Sequence, residues 1–157
     1  MIQRIQTVFL ILAIACNVAS LFLPLWSGGI GDMTETVQGL SVEHQGQRVL
    51  FMEHDATSKT IAHTGYVALV ALSSIWLLLV IFQYSNRVRQ VTRTYLGMLM
   101  ICLEILALVW LTMQAQGAEA GPEVGGLAPI LALVFAWLAA RAINKDEALV
   151  KSADRFR

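Results

Sequence analysis

Four apolar segments, separated by loops of opposed charge, constrain this chain more than any other feature. They occupy residues 7–25, 61–82, 95–113 and 126–143. A hydrocarbon layer of ~30 Å takes a helix of about 20 residues, and the first three segments are about that long. The fourth is uninterrupted only over 127–140 and leans on Arg141, whose long stem can lie along apolar surface while its head reaches the boundary. Charged residues make up only 14% of the chain, against roughly 25% in a soluble domain. The expected fold is an all-α membrane protein: one domain of 157 residues forming a four-helix transmembrane bundle.

The loops orient that bundle. Nine of the eleven Lys and Arg residues fall at the N-terminus (Arg4), in loop 83–94 (Arg87, Arg89, Arg93) or in the last span and tail 144–157 (Arg141, Lys145, Lys151, Arg155, Arg157). Only Arg48 and Lys59 lie on the other side, where loops 26–60 and 114–125 hold seven acidic residues. Basic residues stay on the cytoplasmic side, so both termini are expected there. The formal net charge of zero hides this separation.

Loop 26–60 is the main polar surface. Trp26 stands where an interfacial anchor belongs, and Ser27-Gly28-Gly29-Ile30-Gly31 reads as a flexible exit from the bilayer. Two β-type runs follow, 40–44 and 48–52, around Gln45-Gly46-Gln47. A turn centred on Gln45-Gly46 sets Glu43 opposite Arg48 and Val42 opposite Val49, which makes the external first loop hairpin-containing. An isolated two-stranded hairpin is marginal in water, so it needs the helix ends, a third strand over 33–37, or a partner. The loop also holds His44, Glu53 and His54, with His63 at the mouth of the second span. These residues could supply an external metal site. No His-x-x-x-His spacing supports one, however, and strand alternation sends Glu43 and His44 to opposite faces. No metal and no cofactor is expected.

Cys16 and Cys102, the only cysteines, fall at membrane depth. They cannot form an external disulfide, which removes the analogy to four-span disulfide-generating quinone oxidoreductases. It also counts against claudin-like tetraspans, whose β-rich first loop is disulfide-bonded. Two apolar fillers are expected instead. Ala13-Ile14-Ala15-Cys16 faintly matches a lipoprotein cleavage box, but the apolar run resumes as Leu21-Phe22-Leu23, so the first span is read as retained.

Glu104 is the anomaly, a carboxyl at the centre of the third span. Ionisable side chains at such depth face protein or water, and hydrocarbon favours their neutral form. Asn17 in the first span and Ser73 and Ser74 in the second reach similar depth, so a polar cluster of these four is expected to satisfy the carboxyl's hydrogen bonds. Two roles stay open: a neutral acid joining helices or docking on another subunit, and a proton-handling or ligand-contacting group. A lone carboxyl without His, Lys or a second acid makes a poor relay.

The tail changes character. Asn144 followed by Glu147 has capping-box spacing, and Ile143, Val150, Ala153 and Phe156 recur on one face. A C-terminal amphipathic helix on the inner leaflet is expected, with a plain extension of the fourth span as the alternative. Gly117 and Gly121 precede Pro122, where a turn is expected, and Pro129 is placed in the first turn of the fourth helix.

The opening Met1-Ile2-Gln3-Arg4-Ile5-Gln6-Thr7-Val8 resembles that of a family of small four-span inner-membrane proteins of gram-negative bacteria with a domain of unknown function. The closing stretch 141–157 is similar to that family's basic tail, with Arg141, Lys145, Asp146, Glu147, Asp154 and Arg155 in place. The resemblance implies a bacterial inner-membrane location and four-span topology, and carries over no catalytic residue. Matching ends suggest that the two termini meet, Asp146 or Glu147 pairing with Arg4.

No glycine loop for phosphate, no nucleophile elbow and no nucleophile with a matched base is present, so no enzyme is expected. Basic loops serve topology and anionic lipid, and nucleic acid is not a partner. The function expected is a non-catalytic accessory or scaffold subunit of a larger inner-membrane complex, its partners the lipid bilayer and other subunits or further copies of itself. Two alternatives remain: a small proton-linked carrier using Glu104, and a quinone- or lipid-binding membrane protein.

Overall fold

Proline and hydropathy together decide where the first helix stops. In a computed structural model, which describes residues 3–30, 33–38, 41–44, 47–50, 58–83, 87–114 and 121–154, α1 runs only over Gln3–Ala19. Tight turns follow, with Leu21 N–H on the carbonyl of Val18 and Phe22 N–H on that of Ala19. Pro24 disfavours helix at Leu23 and removes a donor, so the chain leaves as a strand although Leu21, Phe22 and Leu23 keep it apolar. The first apolar segment is therefore shorter as a helix than its hydropathy suggests: 17 residues, about 25 Å of rise.

The other helices are α2 (Ser58–Ile81), α3 (Arg87–Gln114) and α4 (Val124–Asp154). Among the described residues, three stretches are long and apolar enough to cross a membrane: Thr64–Ile81, Val88–Met113 and Val124–Val150. The weak fourth segment thus becomes part of the longest helix, and α1 becomes the short one. Residues 144–154 continue α4 without a break, so no separate amphipathic helix starts at Asn144. The reason is local. Asn144 Nδ2 donates to the Tyr95 hydroxyl on α3 at 3.1 Å, which takes the side chain away from capping. Helix α4 also begins earlier than expected, leaving Pro129 inside it, beyond the first turn.

Each helix packs against two neighbours, in the ring α1–α2–α3–α4. The seam between α1 and α4 is the most extensive, because α4 turns Ala128, Ala132, Ala136 and Ala140 inward at four-residue spacing. Small side chains let helix backbones approach closely. Leu10, Ala13, Leu77, Val80 and Ile101 fill one apolar cluster with Ala132, Ala136 and Ala139; Leu25, Tyr66, Val70, Leu108 and Leu111 fill a second, nearer the α1–β1 turn. Outside, large aliphatics are exposed on all four helices, Leu72, Ile75, Leu106 and Leu131 among them. A bundle with polar groups inside and aliphatics outside matches a hydrocarbon surround.

The α1–α2 loop and the end of the α3–α4 loop form a sheet in the order β4-β3-β2-β1-β5, from Gln47–Leu50, Ser41–His44, Met33–Gln38, Pro24–Ile30 and Gly121–Pro122. All pairs are antiparallel. In β3 and β4, Val42 lies opposite Val49 and Glu43 opposite Arg48, the register expected from the sequence, while Gln45-Gly46 itself lies outside the described residues. Strand β2 adds a third strand to this pair. Two readings are corrected. Ser27-Gly28-Gly29-Ile30 is a strand, with Gly28 opposite Glu35 and Gly29 opposite Thr34; backbone pairing prevails over a glycine-rich composition. Gly121-Pro122 is an edge strand on Trp26 and Ser27, a position where proline is tolerated. The lack of cysteines in these loops excludes a disulfide there, yet it did not exclude a sheet.

Candidate functional site

Three helices bring polar side chains to one level of the bundle. Asn17 from α1 and Ser73 and Ser74 from α2 are buried, and Glu104 from α3 is fully buried. The amide Nδ2 of Asn17 donates to Ser73 Oγ at 2.8 Å and to Ser74 Oγ at 3.2 Å. Ser73 in turn donates to the carbonyl of Val70 at 3.0 Å, one turn back on its own helix.

The line continues toward the sheet through two residues the sequence reading left out. Ser20 Oγ donates to the Asn17 carbonyl at 2.7 Å, and the Tyr66 hydroxyl donates to Ser20 Oγ at 3.1 Å. Ser20 follows Asn17 by three positions, a spacing that puts both on one side of a helical turn. Tyr66 sits near the membrane boundary, where an aromatic anchor explains it equally well.

Glu104 departs from expectation. Its polar surroundings are Ser73 and Asn17, but no hydrogen bond of acceptable geometry reaches Oε1 or Oε2, and Asn17 Oδ1 is also without one. Donor arithmetic gives the reason. Both N–H bonds of Asn17 already go to the two serines, and the Ser73 proton goes to Val70, so none of these donors remains for the carboxyl. Three buried acceptor oxygens, Glu104 Oε1 and Oε2 and Asn17 Oδ1, thus share one small region without a hydrogen-bond partner, and the Ser74 hydroxyl can serve at most one of them.

The far end of the bundle does bring the termini together. Gln6 of α1 donates to the Asp146 carboxylate of α4 and, at 3.5 Å, to the carbonyl of Ala142. The expected pairing of Asp146 or Glu147 with Arg4 falls on a side chain outside the described ones, since Arg4 is described only through its backbone in α1; Gln6 is a partner of Asp146 that the sequence did not suggest. Arg141 stacks over Trp137, one turn earlier on α4, at 5.5 Å from the ring centre.

Of the possible metal residues, Glu53 and His54 lie outside the described residues, and His44 and His63 are described only through their backbones. His44 ends β3 opposite Gln47 and Glu35, while His63 belongs to the second turn of α2. Among the described residues no group of three His, Cys, Asp or Glu side chains gathers to hold a metal. Cys16 and Cys102 are free and partly buried. A half-open groove of about 450 Å³ lies between α3 and α4 beside Leu25, lined by Ile105, Leu108, Leu127 and Ile130, with Glu123 on its wall.

The chain belongs to the family described as a domain of unknown function (DUF4293), whose profile matches residues 2–156. A comparison with curated proteins finds no match.

Proposed function

We propose that this chain is a non-catalytic four-span protein of a bacterial inner membrane, serving as an accessory or scaffold subunit of a larger complex. The observation that carries the reading is the sheet. It is built from both external loops and tied to the bundle, where Glu123 N–H bonds to the Leu25 carbonyl at 3.1 Å. Its edge strand β4 pairs only with β3 among the described residues, and a strand with one free edge is a template for another chain. The buried polar groups among the described residues are two carboxyls (Glu104 and Asp146), three amides (Gln6, Asn17 and Gln90) and hydroxyls, with no histidine, lysine or arginine, which supports a structural rather than catalytic interior.

Four crossings require α1 to span with about 25 Å of helix, a mismatch bilayers accommodate by local thinning. The antiparallel ring sets Arg89, Arg93, Arg141 and Lys145 at the end away from the sheet, which supports cytoplasmic termini and an external sheet. Reporter fusions after Arg157 and within 87–93 are expected to read cytoplasm, and fusions near Gln45 the outer side. A cytoplasmic signal near Gln45 overturns the orientation. Purification in mild detergent followed by mass spectrometry tests the subunit reading, with a stable stoichiometric partner expected.

A homogeneous homo-oligomer instead favours the second reading, a proton-linked carrier, whose specific support is the fully buried Glu104 carboxyl. A quinone- or lipid-binding role draws on the apolar groove between α3 and α4.

A further inference from the structure

We propose that Glu104, Asn17, Ser73 and Ser74 form a buried site for one monovalent cation, taken up as a proton or as a sodium ion. The argument rests on geometry and charge. Glu104 and Asn17 are both fully buried, on two different helices, and three of their oxygens have no hydrogen-bond partner. Unpartnered acceptors inside a bundle are costly, and more so when one group is a carboxylate. Everything they need is of one kind: a centre of positive charge.

Either cation answers that need. A proton on Glu104 turns one of the unpartnered acceptors into a donor inside the cluster, with Asn17 among its neighbours. A sodium ion draws on the oxygens themselves, because the set is hard oxygen throughout: carboxylate, amide carbonyl and the hydroxyls of Ser73 and Ser74, which suits a hard cation. Neutrality also selects for single charge. The site holds one carboxyl, so a monovalent ion leaves no net charge at mid-bundle, and a divalent ion leaves one.

The surroundings leave Glu104 as the group that responds. From α1 the site meets Asn17 and Ser20, and from α2 Tyr66, Ser73 and Ser74; α4 contributes the apolar Ala132 and Ala136. Tyr66 is titratable, but its hydroxyl is engaged with Ser20. Cys16 packs into the neighbouring apolar cluster. Away from the sheet the next layer is Leu10, Ala13, Leu77 and Ile101, so the polar line of Asn17, Ser20 and Tyr66 leads only toward the sheet. The site is independent of whether the sheet docks a partner.

The test is thermal unfolding of the purified chain in mild detergent, followed by tryptophan fluorescence. In one arm sodium chloride replaces choline chloride at constant ionic strength and alkaline pH. In the other, pH is lowered in choline chloride. The folded bundle binds the cation more tightly than the unfolded chain, whose carboxyl is solvated, so Tm rises with cation concentration, by about 3 °C or more at saturation. A saturable rise with sodium identifies the ion; a rise only on acidification identifies the proton. In either case Glu104→Gln, whose amide supplies a donor to Asn17 without charge, is expected to abolish the dependence. If that variant does not fold, Ser73→Ala is expected to move the half-saturating sodium concentration, or the pH midpoint, by about tenfold or one pH unit. A parent Tm insensitive to both cations overturns the site, as does an unchanged response in Glu104→Gln or, where that variant fails to fold, in Ser73→Ala.

Discussion

Toward the sheet, the interior of the bundle carries hydroxyls, an amide and a carboxyl gathered at one level; away from it, aliphatic side chains dominate and the polar groups, Gln6, Gln90, Thr94 and Asp146, are scattered among them. Both halves exclude water, and they hold together by different means. The far half relies on small residues at four-residue spacing on α4 and on polar contacts between helices at its end, Gln6 to Asp146 and Asn144 to Tyr95. The sheet-side half relies on hydrogen bonds across helices, with Leu25 from β1 filling the end of the bundle. Close apolar packing is non-directional and complete as it stands. A polar interior has to close its donor and acceptor account, and this one is short of donors at Glu104.

The largest effect is expected where the two halves depend on the sheet junction. A Cβ on Gly125 would stand 2.5 Å from the Pro24 carbonyl oxygen and 2.9 Å from Leu23 Cβ, so backbone has to move. Gly125→Ala is expected to cost about 3 kcal/mol in a detergent unfolding series. Gly97 is the control in the far half. Its Cβ would meet Leu77 Cδ2 at 2.6 Å, the end of a flexible side chain, and alanine improves helix propensity by about 1 kcal/mol. Gly97→Ala is expected to be close to neutral. Equal costs at the two glycines would show that the junction is no more rigid than the helix seam.

The next effect belongs to the contact of Gln6 with Asp146. Asp146 is buried, and Gln6 donates to it across α1 and α4. Gln6→Leu removes that donor and is expected to cost about 2 kcal/mol, because a buried carboxylate loses a hydrogen bond. The same unfolding series measures it. No loss would mean that the Gln6 contact does not hold the far end together.

How much of this was legible in the chain follows from the kind of signal each element uses. Depth counting brought Asn17, Ser73 and Ser74 to the level of Glu104, because helix rise converts sequence position into depth. Depth says nothing of donors, so the shortage at Glu104 was invisible until the Asn17 amide was seen to serve the two serines. Hydropathy carried the first span through Leu21, Phe22 and Leu23, while the proline at 24 carried the true boundary. Strands β1 and β5 had no composition of their own: glycines in one and a Gly-Pro pair in the other become strands only because each finds a neighbour. The Asn144 signature was genuine in spacing, yet a tyrosine on another helix claimed the side chain.

The smallest effect separates the two jobs Glu104 can do in the polar half, and it takes two substitutions read against each other. Glu104→Gln keeps the shape and brings an N–H donor to Asn17 Oδ1, so the bundle is expected to be at least as stable as the parent measured without a bound cation. Glu104→Leu keeps the volume and brings no donor, which leaves the Asn17 oxygen without a partner in hydrocarbon. The Leu variant is expected to fall below the Gln variant by about 1 kcal/mol, the scale of one interhelical hydrogen bond in a membrane. The difference is read between the two variants rather than against the parent, because the parent's stability moves with its cation and theirs does not. Mutating Asn17 to Leu in both backgrounds closes the cycle: the gap between Gln and Leu at position 104 is expected to vanish once the acceptor is gone. A gap that survives without Asn17 would place the stabilising contact of residue 104 elsewhere, on Ser73 or on a neighbouring chain.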